Sequence, residues 1–177
     1  MTQDFSQEIV AWQPFFITLA SVCATLAGLL FVAVSLHPDR AHAQGKVHLK
    51  NLAQHTFGDF LQVLFIGIFF SVPLAPPFFY SVAVLCVVAA GMKELIPRLV
   101  HAWRSTKDEP HRAYFLSRVG LSLLGRGFLL LAAVMFMIAP LDHVQTWKDM
   151  MFIFSGCLVL LISGLRNAWF LLLQELE

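Results

Sequence analysis

Five stretches of this chain, residues 12–36, 57–74, 77–96, 114–139 and 147–173, are apolar over about the 20 residues a helix needs to cross a bilayer. Backbone amides and carbonyls cannot be left bare in hydrocarbon, so segments of this kind must be helices that bond within themselves. Composition agrees: 58% of residues are hydrophobic and only 13% charged, against about 25% charged in a soluble domain. In 177 residues, five spans leave no room for a sizeable soluble domain. The expectation is an all-α integral membrane bundle, with residues 1–177 forming a single transmembrane domain. Pro73, Pro76 and Pro77 break the second span and suit the first turn of the third, which reads as a tight hairpin. The alternative is four spans with residues 78–92 as a re-entrant segment.

Basic residues set the orientation. The first connection carries Arg40, Lys46 and Lys50, and the third carries Lys93, Arg98, Arg104, Lys107 and Arg112. The second connection has no charge, the fourth has Lys148, and the N-terminal tail is acidic through Asp4 and Glu8. Lysine and arginine collect on the cytoplasmic side, so the pattern places the N-terminus outside and the C-terminus inside. The first apolar stretch lacks a basic leader and is too long for a cleavable signal, so it is expected to stay as a span. The run 27–36, AGLLFVAVSL, resembles bacterial inner-membrane helices, and a multi-pass protein of the cell inner (plasma) membrane is expected. Net charge is only +1, which is orientation chemistry and excludes a nucleic-acid footprint. The loops 37–50 and 98–112 are expected to meet anionic lipid headgroups or to dock a cytoplasmic protein partner.

The usual signatures of enzyme chemistry are missing. Cys23, Cys86 and Cys157 lie singly in three apolar segments, with no CxxC pair to act as a redox dithiol. His37, His42, His48 and His55 are five to seven positions apart, too widely spaced for one metal-binding helix turn. His101, His111 and His143 fall at loops or helix ends. No nucleophile and base arrangement, phosphate loop or zinc motif stands out. No metal, cofactor or catalytic residue is therefore assigned, and an enzyme is not expected. There is also no internal duplication of the kind that builds many transporters.

What remains are polar residues inside the spans. On the first helix Thr18, Ser21, Thr25, Gly28 and Ser35 share a face. It either packs against a neighbouring helix or, through its hydroxyls, lines a narrow pore. Ala20, Ala24 and Gly28 add a run of small residues at four-residue steps. The second helix carries a stripe of His48, Asn51, His55, Asp59 and Gln62. The fourth carries Arg118, Ser122 and Arg126, with Gly125 and Gly127 leaving space around the guanidinium. The fifth has Arg166 and Asn167 near its cytoplasmic end, with Gly156 and Ser163 on or near the same face. Counted from the loops at 1.5 Å per residue, Asp59 and Arg126 reach a similar depth.

Charges inside a membrane are costly and by default mark function. Two readings of the convergence stand side by side. In one, Asp59 pairs with Arg126 or Arg118 as a structural ion pair that fixes helix register. In the other, the cluster is a permeation or proton-coupling site. The function expected is a small oligomeric channel or transport protein, assembled about an axis because five helices enclose little alone. A non-transporting interaction subunit, sensor or regulator is the alternative, and a lipid- or quinone-directed membrane enzyme the third reading.

Overall fold

Every segment of regular structure is helical among the residues described by the computed structural model, namely 2–36, 47–72, 77–105, 109–138 and 143–174. The helices are α1 (Thr2–Leu36), α2 (Val47–Phe70), α3 (Pro77–Ser105), α4 (Glu109–Ile138) and α5 (His143–Gln174). Four carry stretches long and apolar enough to cross a membrane: Gln7–Ser35, Leu52–Phe70, Val119–Ile138 and Trp147–Leu171. The chain is an all-α, multi-pass membrane bundle.

Several boundaries differ from those expected. The second span ends at Phe70, where the chain turns at Ser71, four residues before the expected end. The apolar part of α3, Phe78–Lys93, is shorter than the others, yet it belongs to one continuous 29-residue helix. That helix runs unbroken for about 43 Å at 1.5 Å per residue, and the four longer stretches are the ones that meet the length for crossing a membrane. The helix also runs past Pro97. Residues 98–105 and 109–112 are therefore helix ends, although a loop was expected over 98–112. Residues 37–46 and 106–108, with their share of the basic residues, lie outside the described residues.

The packing is antiparallel between sequence neighbours. On α1 and α2, Gln13 Nε2 donates to Ser71 O (2.7 Å), Phe16 stacks on Phe70 and Ala20 lies against Gly67. On α4 and α5, Gly125 meets Gly156, and Phe128 stacks on Phe152. Helices α2 and α5 also touch each other directly: a β-carbon on Gly164 would lie 2.7 Å from Phe60 Cε1. Glycine at these crossings lets backbones approach to distances no side chain would permit.

The bundle has two unlike halves. At the end where α1 and α5 start, α2 ends, α3 starts and α4 ends, aromatic rings fill the interior. Phe70 lies 4.8 Å centroid to centroid from both Phe16 and Tyr80. Trp12 packs on Trp147 and Phe154. Tyr80 is fully buried and its hydroxyl donates to Val72 O, while Ser81 Oγ donates to Ala133 O across the α3–α4 seam (2.8 Å). Below the rings lies an aliphatic layer of Val63, Ile66, Leu129, Ile153 and Leu160. The opposite half holds a smaller apolar cluster of Ala27, Leu30, Phe60 and Leu171 beside buried polar side chains.

Candidate functional site

Seven polar or charged side chains are buried in that second half: Thr56, Asp59 and Gln62 from α2, Ser122 and Arg126 from α4, and Ser163 and Asn167 from α5. Asp59 stands seven residues from the start of the apolar stretch Leu52–Phe70, and Arg126 seven from the start of Val119–Ile138. Because α2 and α4 run the same way, the two side chains meet.

The meeting is a closed hydrogen-bond ring. Arg126 Nη2 donates to Asp59 Oδ1 (2.8 Å) and Arg126 Nη1 to Ser122 Oγ (2.7 Å); Ser122 Oγ in turn donates to the same Oδ1 (2.8 Å). Arg126 Nε donates to Gln62 Oε1 (3.1 Å). The guanidinium thus has a charge partner and neutral acceptors, which is what keeps a buried ion from being strongly destabilising. Gln62 fits only because α3 offers Gly91 opposite it, where a β-carbon would lie 1.5 Å from Gln62 Nε2.

The other carboxylate oxygen is in a different position. Asp59 Oδ2 lies outside the hydrogen-bond ring with α4. It lies 3.5 Å from His55 Nδ1, one turn nearer the start of α2, and Ser163 of α5 adjoins the same carboxylate. Both amide atoms of Asn167 are buried without a hydrogen bond among the described residues. Since α2 and α5 are antiparallel, Asn167 sits one turn from Ser163 in the direction of His55. One side of Asp59 is therefore closed by α4, and the other looks onto polar groups with bonding capacity to spare.

The remaining sequence candidates fall elsewhere. Arg166 is exposed. Arg118 lies on α4, but its side chain is outside the described residues, as are those of His48 and Asn51. Thr18, Ser21, Thr25, Gly28 and Ser35 are all exposed. Their face of α1 points away from the other four helices, and the seam that α1 packs on α2 consists of Phe16, Leu19, Cys23, Ala27 and Leu30. The hydroxyls of Thr18, Ser21 and Thr25 donate to the carbonyls of Pro14, Ile17 and Ser21, four residues back (2.8–2.9 Å). They need no outside partner. Gly125 packs against Gly156 and so does not leave space beside the arginine; Gly127 has open space around it.

Sequence reasoning passed over Thr56, Gly91 and Asp149. Asp149 is fully buried near the start of α5, at a depth where a carboxylate reads as interfacial. Gly91 gave no signal of its own; only its contact with Gln62 marks it. Among the described residues no group of His, Cys, Asp and Glu is arranged to hold a metal ion.

Comparison with known protein families, curated proteins and solved structures found no match to this chain. The functional reading rests on the site itself.

Proposed function

We propose that this is a small transport protein of the cell inner membrane, N-terminus outside, in which the Asp59–Arg126 pair controls passage. The observation that carries the reading is the asymmetry of the Asp59 carboxylate. A pair serving only to lock helices gains nothing from turning its second carboxylate oxygen away from the α4 ring and toward His55, Ser163 and Asn167. Groups of this kind can take up a proton, a water or a small ion arriving from the His55 end. The aromatic and aliphatic layers close the interior beyond the pair, so transit requires those layers to separate or a route between subunits of a homo-oligomer. The outward hydroxyl face of α1 suits such an interface.

Flux through proteoliposomes of purified protein tests this. Wild type is expected to move protons or small ions, and Asp59→Asn and Arg126→Gln to change the rate in correctly folded samples. No flux of protons, sodium, potassium or chloride from a folded, assembled protein would overturn it. The second reading, a non-transporting interaction subunit, is favoured by the aromatic seal. It expects a stoichiometric partner that is lost when Arg104 and Lys107 are reversed in charge.

A further inference from the structure

Between α2 and α3 runs a cleft of about 370 Å³, within the range of small-molecule sites. Its character changes along its length. Toward the end of α2 it is bounded by Phe65, Phe69 and Cys86; toward the start of α2 it reaches Gln62 and Arg126, and then His55. Phe65 and Cys86 are exposed, so the cleft opens sideways, where a helix bundle meets lipid. From His55 to Phe69 is fourteen residues, roughly 20 Å along the helix. That length and that gradient match a chain lying along the bilayer normal with its polar end near the interface.

The polar end specifies what it would accept. Arginine has hydrogens to offer and no acceptor, so the bond from Arg126 Nε fixes Oε1 of Gln62 on the arginine side. The amide nitrogen, a donor only, is thereby turned against Gly91 at the cleft wall. Arg126 already has Asp59 as its counter-charge. The end of the cleft therefore presents a donor beside a neutralised pair, and its complement is an uncharged acceptor. A carboxylate or phosphate would add unbalanced charge.

We propose that this cleft binds a membrane-dissolved chain bearing a carbonyl group, the ester of an acyl lipid or an alkyl quinone. The chain runs along Phe65 and Phe69, and the carbonyl oxygen accepts from Gln62 Nε2. The site stands whether or not the protein transports, and occupancy would act on Arg126 through Gln62.

Cys86 supplies the test, because it is an exposed thiol at the cleft while Cys23 and Cys157 are buried. The rate of Cys86 modification by N-ethylmaleimide is followed by intact mass in purified full-length protein. Methyl palmitate, a fully substituted decylbenzoquinone and hexadecane are the probes. Saturable slowing by the ester or by the quinone, but not by hexadecane, is expected, and the probe that protects identifies the source. Gly58 lines the cleft and has open space where a side chain would go, so Gly58→Leu should fold and abolish protection, with Ala90→Leu as a second block. Gln62→Leu should raise the half-protecting concentration roughly three- to tenfold, the worth of one hydrogen bond. Equal protection by hexadecane, protection by neither carbonyl probe, protection that survives both blocking variants, or an unchanged response in Gln62→Leu would each overturn the proposal.

Discussion

Gln62 and Gly91 occupy one another's space: a methyl group on Gly91 would lie 1.5 Å from Gln62 Nε2 and 2.5 Å from its Cδ. Glycine inside a helix is disfavoured by about 1 kcal/mol relative to alanine, so the contact is kept against local preference. Gly91→Ala must push the amide aside and so weaken its bond to Arg126 Nε. We expect a loss of about 1–3 kcal/mol of stability, the usual cost of overpacking. Adding Gln62→Ala should recover much of it. Thermal unfolding of the two single variants and the double variant measures the coupling, expected to exceed about 0.5 kcal/mol; additive losses would disprove the contact.

Removing one member of the Asp59–Arg126 pair leaves the other charged and buried. Asp59→Leu is expected to lower stability by about 3–5 kcal/mol. Exchanging both residues, Asp59→Leu with Arg126→Met, should restore folding to near the wild-type level, as apolar replacements of buried pairs often do. Thermal melts in the same detergent decide this. If the doubly exchanged protein also keeps full flux, the pair is structural and the transport reading fails.

The glycines divide by what faces them. A β-carbon on Gly156 would stand 2.8 Å from Leu129 Cγ and 3.0 Å from the carbonyl oxygen of Gly125, and one on Gly125 would stand 2.9 Å from Leu160 Cγ. Backbone cannot move aside as a side chain can, so Gly156→Ala should separate α4 from α5 and destabilise by about 1–3 kcal/mol. Gly120 and Gly127 have nothing within 4 Å. Alanine there should be neutral or gain up to about 1 kcal/mol. A melt series of the three variants tests the ordering.

The membrane class and most of the helices were legible because hydrocarbon imposes one rule over long windows: about 20 apolar residues, bonded internally. Depth was legible too, since a fixed rise per residue placed Asp59 and Arg126 together before any contact was known. Helix ends were not. Residues 98–105 and 109–112 are charged enough to read as loop, yet nothing prevents a helix from continuing into water. The rotation of α1 was also hidden. Hydroxyls on one face announce that they need acceptors, but a helix supplies its own four residues back, as Thr18, Ser21 and Thr25 show. The glycine facing Gln62 was invisible because its meaning lies in another helix.

Because those hydroxyls are satisfied within α1 and exposed, Thr18→Val, Ser21→Ala and Thr25→Val should leave the unfolding of a single subunit within about 0.5 kcal/mol of wild type. Ala20→Leu lies against the Gly67 backbone and should destabilise. If the outward face joins copies of the chain, Ser21→Cys and Thr25→Cys, made in a background with Cys86→Ser, should form cross-links between subunits in native membranes. Absence of cross-links alongside a monomeric mass would remove α1 as an assembly surface.

Two serines flank the same carboxylate with opposite roles. Ser122 bonds both partners of the ion pair, so Ser122→Ala leaves a guanidinium hydrogen and a carboxylate lone pair short of partners. A loss of about 1–3 kcal/mol is expected. Ser163 lies against the carboxylate alone and is not bonded to the guanidinium, so Ser163→Ala should cost less stability than Ser122→Ala. Its main effect belongs instead to whatever occupies the open side of Asp59. In proteoliposomes Ser163→Ala is expected to alter flux more than it alters thermal stability, and Asn167→Leu to do the same. A Ser163→Ala protein that melts lower than Ser122→Ala would reverse the assignment. One that is stable with wild-type flux would mean that the open carboxylate oxygen takes no part in transport.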